Sequence, residues 1–129
     1  MNYAVQLATL DDMPEIVQID DDSTTLYATA DVVIALAPDH PFFTIDEQRR
    51  WARSASLGRL FMAVDERGQR VGFAAVDLVD GEPYLDQLSV RRRAMRKGAG
   101  RLLLRQAIAC VASLETPSPT HALEAWRRG

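Results

Sequence analysis

The chain has a single cysteine, Cys110, among its 129 residues. That count excludes an internal disulfide and a cysteine-based zinc cluster. No apolar run approaches the roughly 18 residues that a membrane span needs. The opening residues, Met1-Asn2-Tyr3-Ala4-Val5-Gln6, lack the basic stretch and apolar core of a secretory signal, so a soluble, cytoplasmic protein is expected. What is present suits a packed domain. Hydrophobic residues make up 47% and charged residues 26% of the chain, which argues against disorder. The length fits one domain.

Charge is absent in one sign at a time. Residues 1–48 hold ten Asp/Glu and no Lys/Arg, while residues 49–129 hold fifteen Lys/Arg against eight Asp/Glu, which returns the net −3. Between Gln87 and Leu114 there is no acid at all, and Arg91, Arg92, Arg93, Arg96, Lys97, Arg101 and Arg105 gather there. Such a local field suits a polyanion: a nucleotide cofactor, RNA or an acidic surface. A solvated basic face is the plain alternative. The sequence pI of about 5.3 counts against a nucleic-acid-binding domain, which is usually basic as a whole.

No internal repeat is visible. Val5–Ala8 alternates in polarity and predicts a first strand. Thr9 with Asp12 reads as a capping box ahead of a short helix through Ile16, Val17 and Ile19. Thr24 to Ala37 is apolar enough for a further helix. Thr44 with Glu47 reads as a second capping box for a helix to about Leu57, with Gly58 as its C-terminal glycine. Strands are expected over Arg59–Val64, Arg70–Val79 and Tyr84–Val90, the last two joined by an Asp80-Gly81 hairpin. Period two puts Tyr84, Asp86, Leu88 and Val90 on one face of the last strand and Gln87 on the other. After the basic loop, Leu103, Leu104, Ala107, Ile108, Val111 and Leu114 mark an amphipathic helix. The order predicts an α+β fold with a mostly antiparallel sheet.

The segment Lys97-Gly98-Ala99-Gly100-Arg101 carries the chemistry. Glycines let a backbone approach a ligand, and a helix beginning there offers unpaired N–H groups and the positive end of its dipole. Together with Arg96, Lys97 and Arg101 this is a strand–loop–helix cradle for phosphate. Two familiar cradles do not fit. The lysine precedes the glycine rather than following it, and Leu103 stands where a dinucleotide fingerprint needs its third glycine.

On the strand Leu85–Val90, the loop Lys97-Gly98-Ala99-Gly100 and the helix Arg101–Leu114, the chain resembles the GNAT acyltransferase superfamily over about residues 3 to 114. The resemblance implies a GNAT-like mixed, mostly antiparallel sheet flanked by helices. It implies acetyl-CoA as cofactor, with the pantetheine arm on the main chain of Leu88, Ser89 and Val90. It implies pyrophosphate at Arg96, Lys97, Gly98, Ala99, Gly100 and Arg101. Members usually carry Arg or Gln at the place of Met95 and often glycine at the place of Arg96, so Arg96 is expected to stiffen the turn. They also continue with further strands and a helix that supplies a tyrosine acid. Here residues 116–129 begin Thr116-Pro117-Ser118-Pro119-Thr120 and hold no tyrosine, so a domain over 1–115 with a proline-containing tail is expected. An uncovered sheet edge then favours a homodimer.

Acyl transfer from a thioester to an amine needs a deprotonated amine and a stabilised oxyanion. Asp86 is the first candidate to take the proton, directly or through water, and Tyr84 a candidate to orient substrate. Asp20, Asp21 and Asp22 border the acceptor side by resemblance and suit a cationic amine, though a solvated helix end explains them as well. Tyr27 is equally ambiguous. His40 and His121 share no metal-ligand spacing, and no metal site is expected. Cys110, Trp51 and Trp126 read as packing groups. The expected activity is acetyl-CoA-dependent N-acetylation of a primary amine on a small molecule or peptide. The alternatives are a catalytically inactive module that binds CoA or a protein partner, and nucleic-acid binding through the 91–105 patch, which the few nearby aromatics disfavour.

Overall fold

The computed structural model describes residues 2–25 and 39–115. In chain order these form β1 (Ala4–Leu7), α1 (Met13–Asp22), β2 (Ser23–Thr25), α2 (Glu47–Ser56), β3 (Leu60–Val64), β4 (Arg70–Val79), β5 (Glu82–Arg91) and α3 (Ala99–Glu115). Single 3-10 turns lie at Leu10–Asp12, Pro41–Thr44 and Arg92–Ala94. The strands make one sheet in the order β1-β3-β4-β5-β2, and every described pairing is antiparallel.

Local chemistry explains the boundaries. Thr9 and Asp12 form the expected reciprocal capping box. The start of α2 differs from expectation: its cap is Asp46, whose Oδ2 accepts from the N–H groups of Gln48 (3.1 Å) and Arg49 (3.4 Å). Thr44 instead donates its hydroxyl to Pro41 O at 2.6 Å, closing the preceding turn. A carboxylate adjacent to the first helical residue reaches two orphan donors, which a threonine two residues earlier does not. Asp80 and Gly81 both take positive φ, 54° and 81°, as a two-residue hairpin turn requires. Of the helix expected over Thr24–Ala37, Thr24 and Thr25 are strand and the rest lies outside the described residues. The tail 116–129 also lies outside them.

The sheet is packed on both faces. Ala99, Leu103, Ala107 and Val111 of α3 cover Phe61, Ala63, Ala74, Val76, Leu85, Leu88 and Val90. On the other face Ile16 and Ile19 of α1 and Trp51 and Ala55 of α2 cover Leu60, Met62, Phe73 and Ala75. Trp51 meets Phe73 edge-on, with centroids 5.1 Å apart. At Gly72 the neighbouring strand and α3 come so close that a Cβ would lie 2.8 Å from the backbone Ser89 O of β5 and 2.9 Å from Leu103 Cδ1 of α3. Burying Leu103 there contributes about 1.5–3 kcal/mol.

One irregularity in β5 positions the site. Ala75 pairs with Gln87 but Val76 pairs with Leu85, so Asp86 is an extra residue in the ladder. This bulge resets the alternation of side chains. Leu85, Leu88 and Val90 all join the α3 side. Asp86 bonds Arg50 of α2, and Gln87 and Ser89 bond Asp20 of α1. The expected shared face of Asp86 with Leu88 and Val90, and the expected separation of Gln87 from Asp86, are therefore both reversed.

Candidate active site

The loop from β5 to α3 forms a cradle. Arg96 sits at φ 63° and Gly98 at φ 99°, with Ala99 beginning the helix. These two left-handed residues turn the chain sharply from the strand into the helix. The first i→i−4 bond is Leu102 N to Gly98 O, 3.0 Å. The N–H groups of Ala99, Gly100 and Arg101 therefore find no backbone acceptor among the described residues. Nothing lies within 4 Å of the place a Cβ would take on Gly98, so the loop is open on that side.

Beside this cradle lies a cleft of about 580 Å³ between β5 and α3. It brings together Leu88, Val90, Arg96, Gly98, Gly100 and Arg101 of the expected cofactor residues, with Met95 and Leu104 as further apolar lining. Three expected residues lie elsewhere. Lys97 lines the neighbouring surface with Asn2, Tyr3 and Arg105. Ala99 is buried in the core, and Ser89 is buried facing α1.

The basic patch divides in two. Arg91 Nε donates to Arg70 O, and Arg93 reaches Gln69 Oε1 and Asp65, so these two serve the scaffold. Arg96, Lys97, Arg101 and Arg105 form no ion pair among the described residues. The side chain of Arg92 likewise forms no ion pair among the described residues, so the cations of the patch without one are Arg92 at the turn and those at the cradle and along α3. The outer edge of β5 divides as well. β2 pairs with Ser89–Arg91, so the backbone edge there is taken, whereas Leu88 and the residues before it pair only with β4.

On the opposite face, Asp86 is locked. Arg50 Nε and Nη2 donate to its two oxygens at 3.0 Å each. Arg50 also donates to Ile45 O at 2.5 Å and lies 4.7 Å over the Phe42 ring. The Asp86 side chain is 2% exposed and that of Arg50 8%. Burial pushes the Asp86 carboxyl above its ordinary value, while the Arg50 guanidinium pulls the other way. Tyr84 is half-buried, edge-on to Phe42 with centroids 5.4 Å apart. Burial and the Asp86 charge push its hydroxyl up, so it stays protonated.

Next to this pair, Gln87 Nε2 donates to Asp20 Oδ1 (3.0 Å) and Ser89 Oγ (2.8 Å), and Ser89 Oγ donates to Asp20 Oδ1 (3.1 Å). Sequence reasoning put Gln87 on the wrong face and so missed this group; its only signal was the acidic run at the end of α1. Asp22 Oδ2 accepts from Arg92 N at 3.1 Å, and Asp21 is exposed. His40 Nδ1 accepts from Phe42 N (3.0 Å), and its Nε2 meets Asp80 Oδ2 at 2.8 Å. Cys110 lies half-buried on α3, where burial pushes its thiol up. Tyr27 lies outside the described residues. No group of three His, Cys, Asp or Glu among the described residues is arranged to hold a metal, and no described helix is long and apolar enough to cross a membrane.

Comparison with known proteins agrees with this geometry. The chain is similar to Rv2747 from Mycobacterium tuberculosis, solved in complex with CoA and NLQ: TM-score 0.60, 16% identity, covering 87% of this chain and 59% of that one. It is similar to the ribosomal-protein-S18-alanine N-acetyltransferase of Escherichia coli: TM-score 0.56, 17% identity, 98% and 76% covered. It is also similar to the PaiA N-acetyltransferase of Thermoplasma acidophilum, solved with coenzyme A: TM-score 0.59, 11% identity, 88% and 74% covered. Among the first structures it matches, the chain spans as little as 28% of a partner's length. No curated protein sequence matches it. Residues 14–116 match the acetyltransferase (GNAT) family, and with most of the sequence inside that match the chain belongs to this family.

Proposed function

We propose that the protein transfers an acetyl group from acetyl-CoA to a primary amine by direct attack on the thioester. The observation that carries this reading is the cleft between β5 and α3. Its chemistry fits the cofactor at both ends. Unpaired N–H groups of Ala99, Gly100 and Arg101 and the side chains of Arg96 and Arg101 suit a pyrophosphate. Leu88, Val90, Met95 and Leu104 suit an apolar arm. Similar folds solved with CoA or coenzyme A support the same ligand.

Acetyl-CoA supplies the activated acyl group and the thiol leaving group. The rest is the work of the chain. Leu88 is the proposed pantetheine residue whose edge is not paired with β2. Ser89 and Val90 contribute by fixing the strand. Lys97 adds long-range charge at the cradle rather than lining the cleft. Asp86 and Tyr84 stand on the acceptor side of the bulge. The Arg50 clamp leaves each Asp86 oxygen one further lone pair with which to take a proton, directly or through water, and the pair otherwise holds the bulge in shape. Tyr84, protonated and half-buried, orients the acceptor.

The test is a thermal melt of the purified chain with acetyl-CoA, CoA or ATP, followed by a CoA-release assay over a panel of amines. A ligand present at a hundredfold excess over its Kd adds about 2.7 kcal/mol of stability. Stabilisation by acetyl-CoA and CoA but not ATP, with amine-dependent CoA release, is expected. A cooperative melt that none of the three moves would refute the reading.

A further inference from the structure

Six Asp or Glu side chains among the described residues are at least partly buried: Asp12, Glu15, Asp20, Asp65, Asp77 and Asp86. Five are paired with arginine. Asp12 and Glu15 meet Arg70, Asp65 meets Arg93, Asp77 meets Arg53 and Arg59, and Asp86 meets Arg50. Asp20 is the exception. Its described side-chain partners are the neutral donors of Gln87 and Ser89, both on Oδ1. Its Oδ2 accepts from no described group. The amide of Gln87 spends its N–H groups on Asp20 and Ser89, which leaves its Oε1 without a described donor.

A half-buried carboxylate without a cation is costly, and proteins ordinarily remove that cost by pairing. Here the surroundings deepen the need. Asp20 lies in the last turn of α1, at the negative end of the helix dipole, with Asp21 and Asp22 following. Residues 1–48, which include all of α1, hold no Lys or Arg. The bulge at Asp86 turns Gln87 onto this same face, beside the proposed acceptor side. Two oxygens, Asp20 Oδ2 and Gln87 Oε1, thus belong to side chains fixed by hydrogen bonds and have no donor among the described residues.

We infer that Asp20 and Gln87 form the seat of the acceptor's amino group, so that the substrate is an alkyl amine that arrives as an ammonium ion and gives up one proton toward Asp86 before its nitrogen attacks, rather than a neutral aromatic amine or a hydroxyl compound. The inference rests on the acetyl-transfer reading above. Asp20 is on this account a substrate-binding residue. Gln87 and Ser89 orient its carboxylate, and Gln87 supplies a second acceptor for the ammonium N–H groups. Asp86, neutralised by Arg50, is not the attracting charge.

Asp20→Asn tests this cleanly. Asparagine keeps an oxygen for Gln87 and Ser89, so a merely structural role survives the change. The probes are 1,3-diaminopropane and aniline, with acetyl-CoA as donor and CoA release as readout. The wild-type chain is expected to acetylate the diamine in preference to aniline. Asp20→Asn is expected to raise KM for the diamine at least about tenfold, the scale of a lost charge-assisted hydrogen bond, with KM for acetyl-CoA within about twofold. Asp21→Asn removes an equal charge from the same helix end and is expected to change KM for the diamine less than about twofold. An unchanged KM in Asp20→Asn, or equal effects of the two substitutions, would overturn the seat while leaving acetyl transfer intact. A wild-type chain that acetylates neither probe and is not stabilised by acetyl-CoA would instead remove the acetyl-transfer reading itself, and the seat with it.

Discussion

The Arg50–Asp86 pair offers the sharpest quantitative test of the fold. Replacing Arg50 by methionine keeps most of the side-chain volume but leaves a carboxylate that is 2% exposed without its cation. Two hydrogen bonds of 3.0 Å are lost. Breaking one side of a buried pair costs about 3–5 kcal/mol. Loss of the bond to Ile45 O adds about 1 kcal/mol, and loss of the contact over Phe42 adds about 0.5–1 kcal/mol. Against a domain stability on the order of 5–15 kcal/mol this is a large fraction. Urea unfolding is the assay. With m of about 2 kcal/mol/M, the midpoint is expected to fall by roughly 2–3.5 M. The deficit also depends on pH. Without Arg50, burial is the dominant influence on Asp86, with Asp77 acting the same way and Arg53 opposing, and it pushes the folded pKa further above the unfolded value. A group shifted that way favours the folded state fully below its unfolded pKa and loses that contribution as the pH rises through the folded one. The variant is therefore weakest near pH 7 and recovers toward wild type as the pH falls. A second variant, Arg50→Met with Asp86→Leu, removes both charges and is expected to recover most of the loss at pH 7. A drop below about 1 kcal/mol in Arg50→Met, flat with pH, would mean that the pair behaves as a solvated surface contact, and the reasoning would fail.

Other outcomes follow from named positions. Gly72→Ala puts a Cβ 2.8 Å from Ser89 O and is expected to cost about 2–3 kcal/mol in a thermal or urea melt; a cost under about 0.5 kcal/mol would deny the close approach of β5 and α3. Arg96→Gly relieves a left-handed residue worth about 1–2 kcal/mol and pays about 0.5–1 kcal/mol in chain entropy, so the melt should rise slightly while the affinity for CoA falls severalfold. Tyr84 is expected to ionise above the ordinary tyrosine range in an absorbance titration, and Tyr84→Phe should remove that late step.

Much of this architecture was readable because it rests on local rules. The Asp80-Gly81 turn, the glycine after α2, the capping box at Thr9 and the apolar stripe of α3 each need only neighbours in sequence. What escaped depends on distant partners. The bulge at Asp86 comes from how β5 registers against β4, and no period in the sequence announces an extra residue in a ladder. Asp86 itself was singled out, yet its partner lies 36 residues away, and the strength of that pairing changes what the carboxylate can do. The cap of α2 was misplaced by two residues because Thr44 and Asp46 each satisfy a capping rule, and only the backbone geometry chooses between them. Thr24 and Thr25 of β2 read as the start of a helix because the apolar sequence after them suits either state, and their pairing with Ser89–Arg91 is a tertiary contact. The cradle was legible since it is built from consecutive residues, but the division of the basic patch between scaffold arginines and unpartnered ones was not.

The bond from Arg92 N to Asp22 Oδ2 joins residues 70 apart in sequence. It ties the last residue of α1 to the first residue of the turn leading into the cradle, and the pairing of Ser23 with Arg91 doubles the tie. The two sides of β5 are thereby hinged at one point. Whatever steadies the cradle steadies the end of α1, and the coupling runs equally in both directions. A substitution at Asp22 that breaks this bond is therefore expected to loosen the turn that leads into the cradle.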